Sequence, residues 1–269
     1  MKNITWLVLA HYRASFLEDC VYSIRRISNS PIRLVLNQPT GSVAYMALRL
    51  MQEYKDVDFT LFDTLEENGR LIEPPETISR ALNQAIPKEG YFIKIDEDYV
   101  VLDKDIEKKL LNLYLQEKPI MSSCIINMND FGGNYLSKVF NWTDIQHPEV
   151  CPGEYMKNQW VAGELWKRCL PLEDFQKEMI KRSKPPHFID YGKRYGCGIF
   201  LATKKDWDKF YTGTGQSEEF DLAAYLEASH NKVSIATNTI AFHRASSYLY
   251  DYLSTTGLFE KVTEELYNL

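Results

Sequence analysis

The chemically most pointed stretch of the sequence is Phe92-Ile93-Lys94-Ile95-Asp96-Glu97-Asp98. An apolar run of strand character ends there in acids, and residues i and i+2 of a strand project to one face, roughly 6.6 Å apart. Asp96 and Asp98 leaving such a strand together make a hard-oxygen site suited to Mg²⁺ or Mn²⁺, ions that keep waters and take substrate phosphates as further ligands. An isolated Asp-x-Asp also marks ordinary polar turns, so the buried strand before it carries the weight. His243, closing Ile240-Ala241-Phe242-His243-Arg244, would add a nitrogen ligand, a mixture better suited to Mn²⁺ than to Ca²⁺. A third signal is Ser217-Glu218-Glu219-Phe220-Asp221-Leu222. Ser217 reads as a helix N-cap, and the helix dipole favours acids in the first turn. The apolar stripe Leu222, Tyr225 and Leu226 follows at helical spacing, so Glu218 and Glu219 both flank the buried face, whereas Glu227 lies opposite it. A partly desolvated carboxylate beside another acid holds protons more tightly, as a general base needs.

The elements that must position these groups follow an alternating order. Strands are expected at 4–10, 32–36, 58–61 and 91–95. Between them fall a helix opened by a Ser15-x-x-Glu18 capping box and running to about residue 27, a helix on Val43, Met46, Ala47, Leu50 and Met51, and a helix after Pro74-Pro75. A helix over 105–116 and a strand over 120–126 continue the series. This β-α-β-α order predicts an α/β fold, a mostly parallel sheet flanked by helices, whose ligands sit beyond the carboxyl ends of the strands. His11, Tyr12, Arg13, Asn37, Asp96 and Asp98 fall at those ends. Residues 127–196 break the pattern with turn signals, Trp142, Trp160, Trp166 and a helix over 173–182, and read as an insertion. Strands at 199–202, 233–236 and 239–242 and the helix after Ser217 restore it. The chain therefore divides into a ligand-binding half (1–126), the insertion (127–196) and a half carrying the acids and a C-terminal helix (197–269), all in one domain.

Composition narrows the class. The 269 residues are 45% hydrophobic with few glycines and prolines, which suits a compact globular domain and excludes low-complexity chains. No apolar run approaches the roughly 20 residues of a spanning helix. Cys20, Cys124, Cys151, Cys169 and Cys197 are odd in number and never in Cys-x-x-Cys, which argues against a disulfide framework or a zinc knuckle. With no signal peptide evident, the expected home is the reducing cytoplasm, with peripheral membrane contact left open. A net charge of -6 speaks against nucleic acid as a partner. Residues 155–205 nevertheless hold eleven basic against five acidic residues, and Lys181-Arg182-Ser183-Lys184 would suit an anionic ligand if not merely a solvated helix face.

The chain resembles the GT-A glycosyltransferases, in particular the family 2 type. Leu7-Val8-Leu9-Ala10-His11-Tyr12-Arg13, followed by Phe16-Leu17-Glu18-Asp19-Cys20, is similar to that family's first strand and nucleotide-contacting loop. Ala81-Leu82-Asn83 resembles the segment before the metal strand, and Asp96-Glu97-Asp98 matches the Asp-x-Asp motif. Glu218-Glu219-Phe220-Asp221-Leu222 resembles the segment whose acid deprotonates the acceptor, and His243 matches the histidine completing the metal site. The resemblance covers about the first hundred and the last seventy residues.

It implies a metal-dependent, inverting, non-processive hexosyltransferase with Mn²⁺ or Mg²⁺. The donor would be a nucleotide-sugar, a UDP-sugar first of all, and the acceptor a glycan, lipid-linked or protein hydroxyl, in a setting such as cell-surface polysaccharide synthesis. Asp98 and His243, with Asp96, would hold the ion, Asp96 alternatively reaching the ribose. Ala10, His11, Tyr12, Arg13, Asn37, Arg80, Asn83, Asp96 and Glu97 would line the nucleotide pocket. Glu219 by motif position, or Glu218 by helix geometry, would be the base. Asn37 stands where the family has an aspartate, and Glu219 replaces the aspartate of the acid pair; transmembrane helices and the Gln-x-x-Arg-Trp motif of processive synthases are absent. The rivals are a nucleotidyltransferase, which should carry a glycine-rich loop where Ala10-His11-Tyr12-Arg13 stands, a non-catalytic nucleotide-sugar-binding protein, and a metal-dependent phosphohydrolase.

Overall fold

A computed structural model describes residues 3–63, 66–67, 70–71, 74–145, 159–192, 196, 198–213, 217–244 and 249–268. The first half runs β1 (Ile4–Ala10), α1 (Ala14–Ile27), β2 (Ile32–Asn37), α2 (Gly41–Glu53), β3 (Val57–Phe62), a small hairpin of β4 (Glu66–Glu67) and β5 (Arg70–Leu71), α3 (Pro74–Ala85), β6 (Tyr91–Asp96), β7 (Tyr99–Val101), α4 (Ile106–Glu117) and β8 (Met121–Ile126). The second half runs α5 (Asp130–Phe140), α6 (Gln159–Arg168), α7 (Leu172–Arg182), β9 (Phe188–Tyr191), β10 (Ile199–Ala202), α8 (Lys204–Phe210), α9 (Glu218–Ser229), β11 (Val233–His243), α10 (Tyr250–Ser254) and α11 (Leu258–Asn268).

One sheet organises the chain, in the order β3-β2-β1-β6-β10-β8-β11-β7, with β9 paired to β11. From β3 to β6 every pairing is parallel, and nearly every residue of β1, β2 and β6 is buried or half-buried, as expected of strands covered on both faces. Beyond β6 the sheet is mixed, so the expectation of parallel pairing holds for the first half alone. Four-residue β10 runs antiparallel between β6 and β8, while β11 is parallel to β8 and antiparallel to β7 and β9. The expected strands at 233–236 and 239–242 are one strand, β11. A register shift against β8 between Ala236 and Ile240 absorbs the polar Thr237-Asn238 without ending the pairing.

Two further expectations are corrected. Ser15 does not cap α1: Arg13 is the N-cap residue and makes no side-chain cap bond. Glu18, read as the partner of Ser15, instead pairs with Arg49 of α2. The tryptophans of the insertion whose side chains are described pack against the rest of the chain. Trp166 is 1% exposed, and Trp142 stacks on Phe140 and Phe175 beneath Arg168; the side chain of Trp160 lies outside the described residues. The insertion's β9 and α7 pack on β11 rather than standing apart. Its basic residues are laced with acids: Lys167 and Arg168 with Glu164, Lys177 with Glu173, and Lys181 and Arg182 with Glu178. The open basic face expected for an anionic ligand is thereby largely offset. Cys20, Cys124 and Cys169 are free and buried; Cys151 and Cys197 lie outside the described residues.

Candidate active site

The site is assembled where β6 ends. In-register pairing of β11 with β7 sets His243 opposite Tyr99, and the Arg244 N–H donates to the Asp98 carbonyl at 2.8 Å. That hairpin-like closure brings His243 Nε2 to 3.1 Å from Asp98 Oδ2 across 145 residues of chain. The imidazole stacks on the Tyr99 ring (centroids 4.5 Å apart, planes 11° apart), and the His243 N–H donates to Asn127 Oδ1 at 2.7 Å. Asp98 Oδ1 and His243 Nδ1 are buried with no hydrogen-bond partner. An unmet buried polar atom costs about 1–3 kcal/mol, so both side chains keep unused ligating capacity besides the Nε2–Oδ2 contact.

The pair fits a divalent ion. Cis ligands of an octahedral ion at about 2.1 Å stand about 3.0 Å apart, close to the 3.1 Å between Nε2 and Oδ2. Among the described residues no three His, Cys, Asp or Glu side chains gather as a cation cage. A two-ligand protein site completed by substrate phosphate and water is the usual arrangement for Mg²⁺ and its like.

Asp96, two residues earlier, faces a different partner. Lys94 Nζ lies 2.7 Å from Asp96 Oδ1 and 2.9 Å from Glu218 Oε1 in the first turn of α9, and its side chain is 1% exposed. Burial alone would lower the Lys94 pKa, but the carboxylates of Asp96 and Glu218 outweigh it and hold the ammonium above its usual value. Burial raises the Asp96 pKa; Lys94 opposes the rise, and Asp98 and Glu218 add to it. Three distant stretches of chain thus converge. The bridging Lys94 escaped the sequence analysis, although a charge between Ile93 and Ile95 in a buried strand was its signal.

The three acids of α9 divide by environment. Glu218 is buried against Lys94, and Asp221 accepts from the Thr212 hydroxyl at 2.8 Å. Glu219 is half-buried, with Oε1 3.8 Å from where a Cβ on Gly196 would stand. Glu97 points the other way: its carboxylate accepts the backbone N–H groups of His11, Tyr12 and Arg13 at 2.9–3.2 Å. Burial pushes its pKa up to about 7 against the pull of those three donors. Its carboxylate is spent on fixing the β1–α1 loop rather than turned toward a ligand.

No protein-family model and no curated protein matches the sequence. Solved structures match in shape. Mannosyltransferase PcManGT from Pyrobaculum calidifontis, in complex with GDP-Man and Mn²⁺, aligns with a TM-score of 0.54 at 11% identity, over 98% of this chain and 64% of its own. GalNAc-T7, with UDP, GalNAc and Mn²⁺, aligns with a TM-score of 0.57 at 14% identity, over 92% of this chain and 45% of its own. The chain has the GT-A fold. It spans less than two thirds of the length of either protein.

The other residues expected to contact a nucleotide lie around the first strands of this GT-A sheet. Ala10 ends β1, and Tyr12 is 61% exposed. His11 Nδ1 is 2.6 Å from the Asn37 carbonyl. The Asn37 side chain is buried and accepts from Thr77 at 2.7 Å. Arg13 lies 3.8 Å over the Tyr250 ring. Arg80 is half-buried near Tyr211, whose phenol pKa burial pushes up while the Arg80 charge opposes the rise. Asn83 Oδ1 accepts from Lys204 and Trp207 of α8, which joins α3 to α8.

Gly198 supports the histidine indirectly. A Cβ there would stand 1.8 Å from the Tyr99 hydroxyl, so the ring stacked on His243 requires glycine at that point. Gly198→Ala should cost about 1–3 kcal/mol by overpacking and loosen the stack on His243, checked by thermal denaturation with and without Mn²⁺.

Proposed function

We propose that this chain is a divalent-cation-dependent, inverting glycosyltransferase that moves a sugar from a nucleoside-diphosphate sugar to a hydroxyl acceptor. The observation that carries the reading is the Asp98–His243 pair at the end of β6, linked through Asp96 and Lys94 to the acidic turn of α9, on a GT-A frame. Asp98 and His243 would hold the ion, whose chemistry is to neutralise the charge growing on the departing diphosphate. Asp96, 29% exposed at its side chain, would reach the ribose. Tyr12, Arg13 and Arg80 would border the nucleotide, and Glu97 would keep the β1–α1 loop that carries Tyr12 and Arg13 in place.

Glu219 is the proposed base: it takes the acceptor proton while the acceptor oxygen attacks the anomeric carbon from the face opposite the diphosphate. Glu218, ion-paired and buried, is the weaker candidate. A UDP-sugar is the proposed donor and a glycan or lipid-linked hydroxyl the proposed acceptor, with the cytoplasm as the proposed setting. Among the described residues no helix is long and apolar enough to cross a membrane.

The test is a panel of sugar nucleotides with Mn²⁺, with and without chelator, read as released nucleoside diphosphate. Cation-dependent release from one or a few donors is expected; none, or release indifferent to chelator, refutes the reading. Glu219→Gln should lower turnover by about 100- to 10,000-fold, the usual range for a general base, with donor affinity retained by calorimetry. Full turnover in that variant would move the base to another acid.

A further inference from the structure

We propose that Lys94 is a positioning residue that locks the donor-side strand to the acceptor-side helix, so that Glu219 and the Asp98–His243 pair keep one fixed spacing. The inference rests on the transferase reading and adds to it a residue no motif contains. Lys94 sits in β6 between Ile93 and Ile95, both fully buried, and its side chain is 1% exposed. A lysine in such a place is costly unless paired. Here one ammonium meets two carboxylates, Asp96 at 2.7 Å on its own strand and Glu218 at 2.9 Å on α9, 124 residues away.

Stability alone does not call for this arrangement, because apolar replacements of a buried ion pair are often neutral or stabilising. Geometry does. Asp96 lies two residues before the proposed ligand Asp98, and Glu218 immediately precedes Glu219, so the lysine connects the strand that leads to one with the turn that carries the other. The start of α9 needs an outside tie, since its N-cap Ser217 makes no side-chain cap bond and Glu218 Oε2 is buried without a hydrogen-bond partner. Removing the ammonium sets Asp96 and Glu218 against each other and takes away the tie between β6 and the first turn of α9. A displacement of about 1 Å in a reacting group costs on the order of 100-fold in rate.

The experiment measures kcat and donor KM, with Mn²⁺, on the sugar nucleotide that the unaltered protein turns over, for Lys94→Met and Lys94→Arg. Circular dichroism and thermal denaturation verify that each variant is folded. Lys94→Met should lose about 100-fold in kcat, a larger change than in donor KM, which the displaced Asp96 can also move. Lys94→Arg, whose planar fork also serves two carboxylates, should recover at least about tenfold of the loss. Should Lys94→Met not fold, Lys94→Gln takes its place, since one amide can serve only one carboxylate at full strength; about a 30-fold loss in kcat is expected. A kcat within threefold of the unaltered protein, a loss explained by the unfolded fraction, or no gain from arginine overturns the assignment. An unaltered protein that releases no nucleoside diphosphate from any donor refutes the transferase reading itself, a different result from an active protein indifferent to Lys94.

Discussion

Asp98→Ala should abolish the stabilisation that Mn²⁺ with UDP or GDP confers on the protein, and transfer should fall by on the order of 1,000-fold, the several kcal/mol a Lewis acid contributes. Asp98 can carry so large a functional effect because little of the fold depends on its side chain. Among the described residues its side chain meets His243 Nε2, and the backbone contact with Arg244 uses the carbonyl, which alanine keeps. The protein without ligand should therefore melt within a few degrees of the unaltered chain. A ligand at 100 times its Kd adds about 2.7 kcal/mol, a rise of about 5–10 °C for a chain of this size, and that increment is what the variant should lack. Differential scanning fluorimetry with nucleotide and Mn²⁺, separately and together, makes the comparison. An undiminished shift in Asp98→Ala would mean that the cation is held elsewhere. His243→Ala should lose the same increment, because the two side chains form one site.

Local chemistry was legible in the sequence where it depends on neighbours in the chain, and illegible where it depends on pairing. The expected strand over 91–95 ends one residue short of β6, and Asp96 and Asp98 stand at its end as read. The parallel first half also follows from alternating apolar segments. The four residues of β10, all buried, carry no signal for direction, so an antiparallel strand inside the sheet could not be anticipated. The Ser15-x-x-Glu18 pattern has the right residues two positions past the N-cap Arg13, while the loop before α1 is held by Glu97, more than 80 residues away. Lys94 shows the same limit from the other side. Its type is anomalous in an apolar strand, but its meaning lies in Glu218, and no local periodicity relates the two. Which surface the aromatic residues of the insertion cover is not legible until β11 is seen beneath them. Trp166 and Phe175 both pack on Phe242, one residue before His243, so this aromatic layer supports the site from below.

The largest loss of stability should come from Arg244→Met. Arg244 follows the candidate ligand His243, and its side chain is 1% exposed. The guanidinium pairs with Asp19 of α1, itself 5% exposed, and lies 4.7 Å over the Phe16 ring. Thr263 of α11 donates to the same Asp19 oxygen at 2.8 Å. One arginine thus joins the end of β11 to the first and last helices. Methionine fills much of the volume but leaves Asp19 a buried carboxylate without its cation, a defect that costs about 3–5 kcal/mol, or on the order of 10 °C in Tm for a chain of this size. The sign of a second change separates charge from packing. If the cost is the stranded charge, Asp19→Asn added to Arg244→Met should recover part of the lost stability, although it removes a further ionic group. If the cost is lost packing against Phe16, the double variant should be no more stable than the single one. Methionine keeps the backbone N–H that holds the Asp98 carbonyl, but the segment carrying it loses its side-chain anchor to α1 and α11, so the single variant should weaken Mn²⁺-dependent nucleotide binding even below its melting range, where the chain is still folded. Stability and cation binding would then be coupled through the residue that ends β11, although the Arg244 side chain points away from the cation site toward α1 and α11.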